Sequence, residues 1–297
     1  MQVQYTYLLE QKNGFSLWKR IVGAFLAFLL LLSGLAYKYA ALPKRIVYVC
    51  YREFNQYRTN LNFSGFNVLK GEHFKILYPF SEAKEAELVL EAAEKAFSPV
   101  NSILHYKSFQ EVPVIIYSSR EALNRNFGWD SSQSAMGVYW AGVMHILSPR
   151  AWIDDGDKKE YRETFIQHGP MVHEYAHYVV DSMAGGNYPR WLTEGIAQYV
   201  EREITGYVFE GALLDHEALY SIGELDAYFD DPQRTEAAYR QSLKMVDFLV
   251  DSYGEEVLIE ILNRLGRGMT LSQAFKEELG VSLTEFERQF ILWAQKN

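Results

Sequence analysis

One cysteine in 297 residues, Cys50, leaves the chain without an intrachain disulfide and without thiolates for a Cys-rich zinc cluster. The preceding Val47-Tyr48-Val49 lacks the small residues of a lipoprotein cleavage site, so Cys50 reads as a small apolar filler. Positive charge is also short: 29 Lys and Arg stand against 38 Asp and Glu, a formal net charge of −9. Beyond residue 37 the balance is 26 basic to 37 acidic residues, a net −11. Phosphate backbones repel such a body, which excludes nucleic acid as a partner. Internal repeats and low-complexity segments are absent. The 48% hydrophobic and 15% aromatic shares exclude global disorder.

Long apolar runs are scarce too, with one exception. Ile21 to Tyr37, IVGAFLAFLLLLSGLAY, is uncharged over 17 residues, near the lower limit for crossing a bilayer core. Trp18 and Tyr37 suit its two interfaces. A signal peptide cut after Ala36 is the competing reading, but bulky Tyr37, Lys38 and the length of the run favour an uncleaved anchor. Lys12, Lys19 and Arg20 before the run and Lys38, Lys44, Arg45 and Arg52 after it do not settle orientation by charge. A short tail ahead of a large domain puts that domain outside the cytoplasm. The expected organisation is a tail over 1–20, an anchor over 21–37, a juxtamembrane connector over 38–70 and one folded domain over 71–297. The connector is aromatic and basic (Arg52, Arg58, Tyr48, Tyr51, Tyr57), with equal claims to a membrane surface or a solvated helix face.

Within the domain, His73–Tyr78 and Val112–Tyr117 read as strands flanking a helix that ends near Ile103. Gly137–Leu147 is β-prone and stops at Ser148-Pro149; His145 lies on it, as a packed residue or a second polar contact. From Asp157 the pattern turns helical, with helices expected around Asp215–Tyr228, Gln233–Tyr253, Glu255–Leu265, Leu271–Leu279 and Leu283–Ala294.

The chemistry concentrates in His173-Glu174-Tyr175-Ala176-His177. Two histidines four apart on a helix differ by about 40° in azimuth, so both rings leave one face a turn apart and can reach one zinc ion. Glu174 can lean into the same cleft as a proton acceptor. A catalytic zinc needs a third protein ligand. Glu194 lies 17 residues after His177, across the turn Ala184-Gly185-Gly186-Asn187-Tyr188-Pro189, which suits the return of an antiparallel helix.

HEYAH followed by YPRWLTEGIAQYVE resembles the gluzincin arrangement, and more narrowly the peptidase MA-like family. The resemblance runs from about Phe74 to the C-terminus and includes the run from Ala238 to Ser242 and Asp251-Ser252-Tyr253-Gly254. It implies His173, His177 and Glu194 as ligands of one zinc ion and Glu174 as general base. Gluzincin-like sequences usually carry an acid one turn after the third ligand; here that position is Gln198, a weaker acceptor for an imidazole N–H. An edge strand beside the metal helix would pair with an extended substrate, and Gly137–Leu147 is the stretch for it. Hydrolysis also calls for a donor to the developing oxyanion. Tyr239 is the residue chosen, with Tyr220, Tyr228 and Tyr253 as rivals.

The sequence therefore predicts an α+β, zincin-like fold. A mixed sheet with helices packs on a mainly helical C-terminal part, preceded by one transmembrane helix. The expected protein is a membrane-anchored zinc peptidase acting on a peptide or protein substrate. The alternative is an inactive zincin-fold scaffold that binds a protein partner at the membrane.

Overall fold

Val112-Pro113-Val114-Ile115-Ile116-Tyr117 carries no charge, and every residue of it is buried in the computed structural model. The structure describes residues 2–107, 110–130, 135–154, 156–208, 219–229, 231 and 233–296, with side chains from residue 18 onward. The expected helix from Asp215 therefore lies partly outside the described residues.

This apolar run is β3 (Val112–Tyr117), the middle of a five-stranded sheet ordered β1-β2-β3-β5-β4. Its companions are β1 (Asn67–Lys70), β2 (Phe74–Tyr78), β4 (Gly137–Trp140) and β5 (Val143–Leu147). β2, β3 and β5 run parallel, while β1 and β4 close the two sides antiparallel. A parallel pair needs a crossover, and α3 (Ala83–Ile103) supplies it between β2 and β3. Strand alternation then divides the core. Phe74, Ile76, Val114, Ile116, Met144 and Ile146 join the large cluster with the helices, while Leu77, Ile115, Tyr117, Val143 and Leu147 meet Leu123 of α4 (Arg120–Phe127) on the other face.

The stretch expected as one strand over Gly137–Leu147 is a hairpin. Ala141 and Gly142 both take positive φ, 42° and 87°, as a two-residue turn of the primed type requires. Alanine is a poor residue for that conformation, so composition did not signal the reversal.

The C-terminal part contains α5 (Lys158–His168), α6 (Met171–Ala184), α7 (Arg190–Thr205), α8 (Ile222–Tyr228), α9 (Thr235–Tyr253), α10 (Glu256–Gly266), α11 (Leu271–Glu278) and α12 (Leu283–Ala294). Gly169-Pro170 separates α5 from α6 and places proline at the helix start, where a missing N–H costs nothing. Gly185, at φ 62°, ends α6 in the left-handed conformation. Residues 185–189 then turn the chain into α7. A Cβ on Gly195 of α7 would lie 2.4 Å from the Ser242 carbonyl oxygen of α9, so glycine is what lets these helices approach.

Ahead of the sheet, α1 (Gln2–Lys38) is a continuous helix, followed by α2 (Leu42–Asn62). Trp18–Lys38, with a mean hydropathy of 2.0, is long and apolar enough to cross a bilayer by length and composition. Residues 38–70, expected as a connector with a loop from Asn60, contain α2, a turn over residues 63–66 and β1, and α2 packs on the fold. The contacts of α2 are polar: Arg52, Asn55 and Thr59 are buried, while Val47, Phe54, Tyr57 and Leu61 face outward. Asn55 Nδ2 donates to the Ala141 carbonyl at 3.1 Å and Gln56 Nε2 to the Gly142 carbonyl at 2.9 Å, satisfying the hairpin turn. This inverted burial hides the docking helix from a reading of apolar periodicity.

Candidate metal centre

α6 and α7 form the site because each presents its polar residues on one stripe. His173 and His177 stand one turn apart on α6, and the turn at 185–189 brings Glu194 on α7 back opposite them. The two Nε2 atoms lie 3.1 Å apart. Glu194 Oε2 is 3.6 Å from His173 Nε2 and 3.4 Å from His177 Nε2. Tetrahedral zinc with bonds of about 2.0–2.1 Å separates its ligand atoms by roughly 3.3–3.4 Å, so these spacings fit such an ion. Glu194 Oε2 is buried with no hydrogen-bond partner among the described residues, an orphaned carboxylate oxygen facing two ring nitrogens.

The far side of each ring is held. His173 Nδ1 meets Glu201 Oε2 at 3.0 Å, and His177 Nδ1 meets the Thr193 hydroxyl at 2.7 Å. An ionised carboxylate only accepts, so Nδ1 of His173 carries a proton toward Glu201, and Nε2, on the side of Glu194, is the nitrogen that could face a metal. The acid that orients this imidazole is thus Glu201 and not a group at position 198. Gln198, at the position one turn after Glu194, turns elsewhere: its Nε2 donates to the carbonyls of Glu194, at 3.1 Å, and Tyr239, at 2.9 Å. Glu201 lies seven residues past Glu194, two helical turns on the same face, and that spacing was the available signal. Glu201→Gln is expected to weaken zinc affinity by about 10–100-fold, measured by competition with a chromophoric chelator. Unchanged affinity would mean that the contact does not prepare the ring for a metal.

Glu174 is buried beside this group, against the edge strand. A Cβ added to Gly137 of β4 would come within 2.7 Å of the Glu174 Cγ, so the strand passes directly over it. Burial pushes the Glu174 carboxyl up from the ordinary carboxylate range; the imidazoles of His173 and His177 oppose the rise and Glu194 adds to it. Burial would raise Glu194 as well, but His177 and His173 outweigh it and hold that carboxyl well below its usual range. For His173, burial disfavours the charged ring, and the Glu194 and Glu201 carboxylates overcome it, raising the ring well above its usual value. Two acids in one cleft are thereby driven apart, one anionic and one able to carry a proton.

Tyr239, from α9, reaches the same cleft: its hydroxyl lies 3.4 Å from Glu194 Oε1, and burial raises its pKa. The ring of Tyr220 packs on that of Tyr228, and the Tyr253 hydroxyl bonds Gln289. Arg190, which sequence reasoning did not single out, brings Nε to 3.6 Å from Glu194 Oε1, one turn earlier on α7. His145 is not part of this group. It points to the opposite face of the sheet, where its Nδ1 pairs with the Tyr117 hydroxyl at 2.9 Å.

Comparison with known proteins finds the following similarities. Residues 163–296 match the family model described as the Peptidase MA superfamily. The chain is 23% identical over 251 residues to the uncharacterized protein YhcO of Bacillus subtilis (strain 168), covering 77% of this chain and 73% of that protein. Among solved structures, an M1 zinc metallopeptidase from Deinococcus radiodurans is 14% identical with a TM-score of 0.38, over 76% of this chain and 50% of that one. A two-domain M1 zinc metallopeptidase mutant bound to L-arginine is 13% identical with a TM-score of 0.38, over 77% and 51%. The chain spans about half the length of these solved metallopeptidases. Residues 163–296, which carry both histidines and Glu194, are thus the part of the chain that is similar to the Peptidase MA superfamily.

Proposed function

We propose that the protein is a membrane-anchored zinc peptidase that cleaves peptide bonds, with one zinc ion held by His173, His177 and Glu194. The observation that carries this reading is the convergence of the three ligand atoms within 4.8 Å of one another, one of them an orphaned carboxylate oxygen. Zinc, when bound, supplies Lewis acidity toward water and toward a peptide carbonyl. Glu174 takes a proton from the attacking water and returns it to the departing amine nitrogen. Its raised pKa suits a group that must both accept and give back that proton. The Tyr239 hydroxyl donates toward the carbonyl oxygen as negative charge develops there. Glu201 and Thr193 hold the imidazoles in register.

β4 favours an extended substrate. It is the outermost strand on its side of the sheet and passes over Glu174, so a peptide added along it would bring its backbone to the base. Affinity gained this way is largely independent of side chain, as expected of a protein or peptide substrate.

The reading is tested by incubating the full chain in detergent with a mixed peptide library and following new termini by mass spectrometry. Cleavage is expected to stop on chelation, return with one equivalent of zinc, and coincide with one zinc per chain by elemental analysis. Bound zinc without turnover across the library would overturn the peptidase reading and leave a binding scaffold. Trp18–Lys38 serves as the anchor in this proposal, with the enzyme outside the cytoplasm. Protease added to intact cells is then expected to digest the body, and resistance until lysis would reverse the orientation.

A further inference from the structure

On the opposite face of the sheet a second polar group is built into an apolar layer. His145 of β5 is 4% exposed, and its Nε2 has no hydrogen-bond partner among the described residues. The Tyr117 hydroxyl, itself buried, lies 2.9 Å from Nδ1 of the same ring. A buried phenol must place its hydrogen on an acceptor, and Nδ1 is the one available, so the ring's own proton sits on Nε2 as an unused donor. Burial holds the imidazole neutral, with a pKa lowered to about 3.

This ring lines a cavity of about 80 Å³ between α2, α4 and the β4–β5 hairpin. Asn55, Arg58, Thr59 and Asn62 of α2 form one wall, at the spacing of a single helix face. Asn126 and Phe127 of α4 and Trp140 of β4 complete it. The Asn55 amide group is committed to the Ala141 carbonyl, and Arg58 contacts the Asn55 side-chain oxygen at 3.4 Å. Among the described residues, Arg58 makes no ion pair and no carboxylate lines the cavity. Its formal charge is therefore positive, and its polar groups arrive from three separate elements.

We propose that this cavity is a binding site for a phosphate-type oxyanion, held by the Arg58 guanidinium and the His145 Nε2–H, with the Asn62 and Asn126 amides at its mouth. The oxyanion belongs either to a lipid headgroup or to a small soluble ligand. α2 follows the apolar Trp18–Lys38 helix after three residues and exposes Val47, Phe54, Tyr57 and Leu61, which brings the headgroup source within reach.

The test is calorimetric titration of the full chain in zwitterionic detergent. One arm uses inorganic phosphate and the other uses short-chain phosphatidylglycerol below its micelle concentration. One-to-one binding is expected in at least one arm. Arg58→Gln and His145→Gln should each weaken it by about tenfold or more, as for loss of a charge-assisted bond. Lys44→Gln, on the same helix but outside the cavity, should leave it unchanged. Tighter binding of the lipid assigns the site to a headgroup, and tighter binding of inorganic phosphate assigns it to a soluble anion. Should His145→Gln fail to fold by thermal unfolding, Arg58→Gln against Lys44→Gln decides the matter alone. Absence of binding in both arms, or equal losses in the Arg58 and Lys44 variants, overturns the proposal. The readout is binding and not cleavage, so it stands or falls apart from the peptidase reading.

Discussion

Glu174→Gln is expected to lower kcat for peptide cleavage by about 10²–10⁴-fold while zinc content and thermal unfolding stay those of the parent chain. The carboxyl of Glu174 is not one of the three atoms that converge on the candidate metal position; those come from His173, His177 and Glu194. Glutamine keeps the size and hydrogen-bonding reach of the side chain in its niche under Gly137, so packing against β4 is preserved. What it loses is the ability to take a proton from water and hand it on. The measurement pairs steady-state kinetics on a cleaved peptide with elemental analysis of the same preparation. Turnover within tenfold of the parent, at full zinc content, would remove Glu174 from the role of base. Loss of zinc together with activity would instead make it part of the metal's support.

The second large effect lies four residues past His177 on α6. Asp181 is fully buried and pairs with Arg52 of α2 at 3.4 Å. It also accepts hydrogen bonds from the hydroxyls of Tyr139, on β4, and Tyr188, at the α6–α7 turn. The Tyr139 oxygen in turn accepts from the Gly142 backbone N–H of the hairpin turn at 2.8 Å. One carboxylate thus ties together the metal helix, the edge strand and the helix that follows the apolar span. Asp181→Ala leaves two buried hydroxyls without this acceptor and a buried guanidinium with only the Ser182 hydroxyl and the exposed Glu53 carboxylate beside it, which is expected to cost about 3–5 kcal/mol of stability. Urea unfolding of the full chain in detergent measures it. The double change Arg52→Leu with Asp181→Leu should recover much of the loss, because it removes the stranded charge as well as its partner. A loss under about 1 kcal/mol for Asp181→Ala would show that solvent already compensates Arg52.

The grouping of His173, His177 and Glu194 was legible because its geometry is local. A four-residue spacing on α6, a glycine-rich reversal and a carboxylate on the next helix are all encoded within about one helix–turn–helix, where 3.6-residue periodicity predicts the facing side chains. Within that reach, the acid beside His173 stands at a different spacing from the one that the resemblance implies. The position one turn after Glu194 holds Gln198, whereas Glu201, two turns on, lies on the same stripe and touches His173. Gln198 turns instead to backbone carbonyls, a choice set by the crossing of α9. The role of α2 was not legible at all. Its apolar residues point outward and its arginine, asparagine and threonine point in, the reverse of the pattern that marks a packed helix. The polar group around His145 was equally hidden, since a single histidine in a strand says nothing about the arginine, 87 positions earlier on α2, that lines the same cavity.

The sequence by itself determined the elements with strong periodicity and the chemistry confined to adjacent ones: the apolar run, the buried β3, and the two histidines with their distant acid. Only the tertiary structure decided that residues 42–62 dock onto the fold, that Gly137–Leu147 folds back on itself, and that Asp181 meets Arg52 across 129 positions. The reason is physical. Periodicity records which side of an element is apolar, but a buried ion pair or a satisfied turn carbonyl depends on partners that only chain closure brings together.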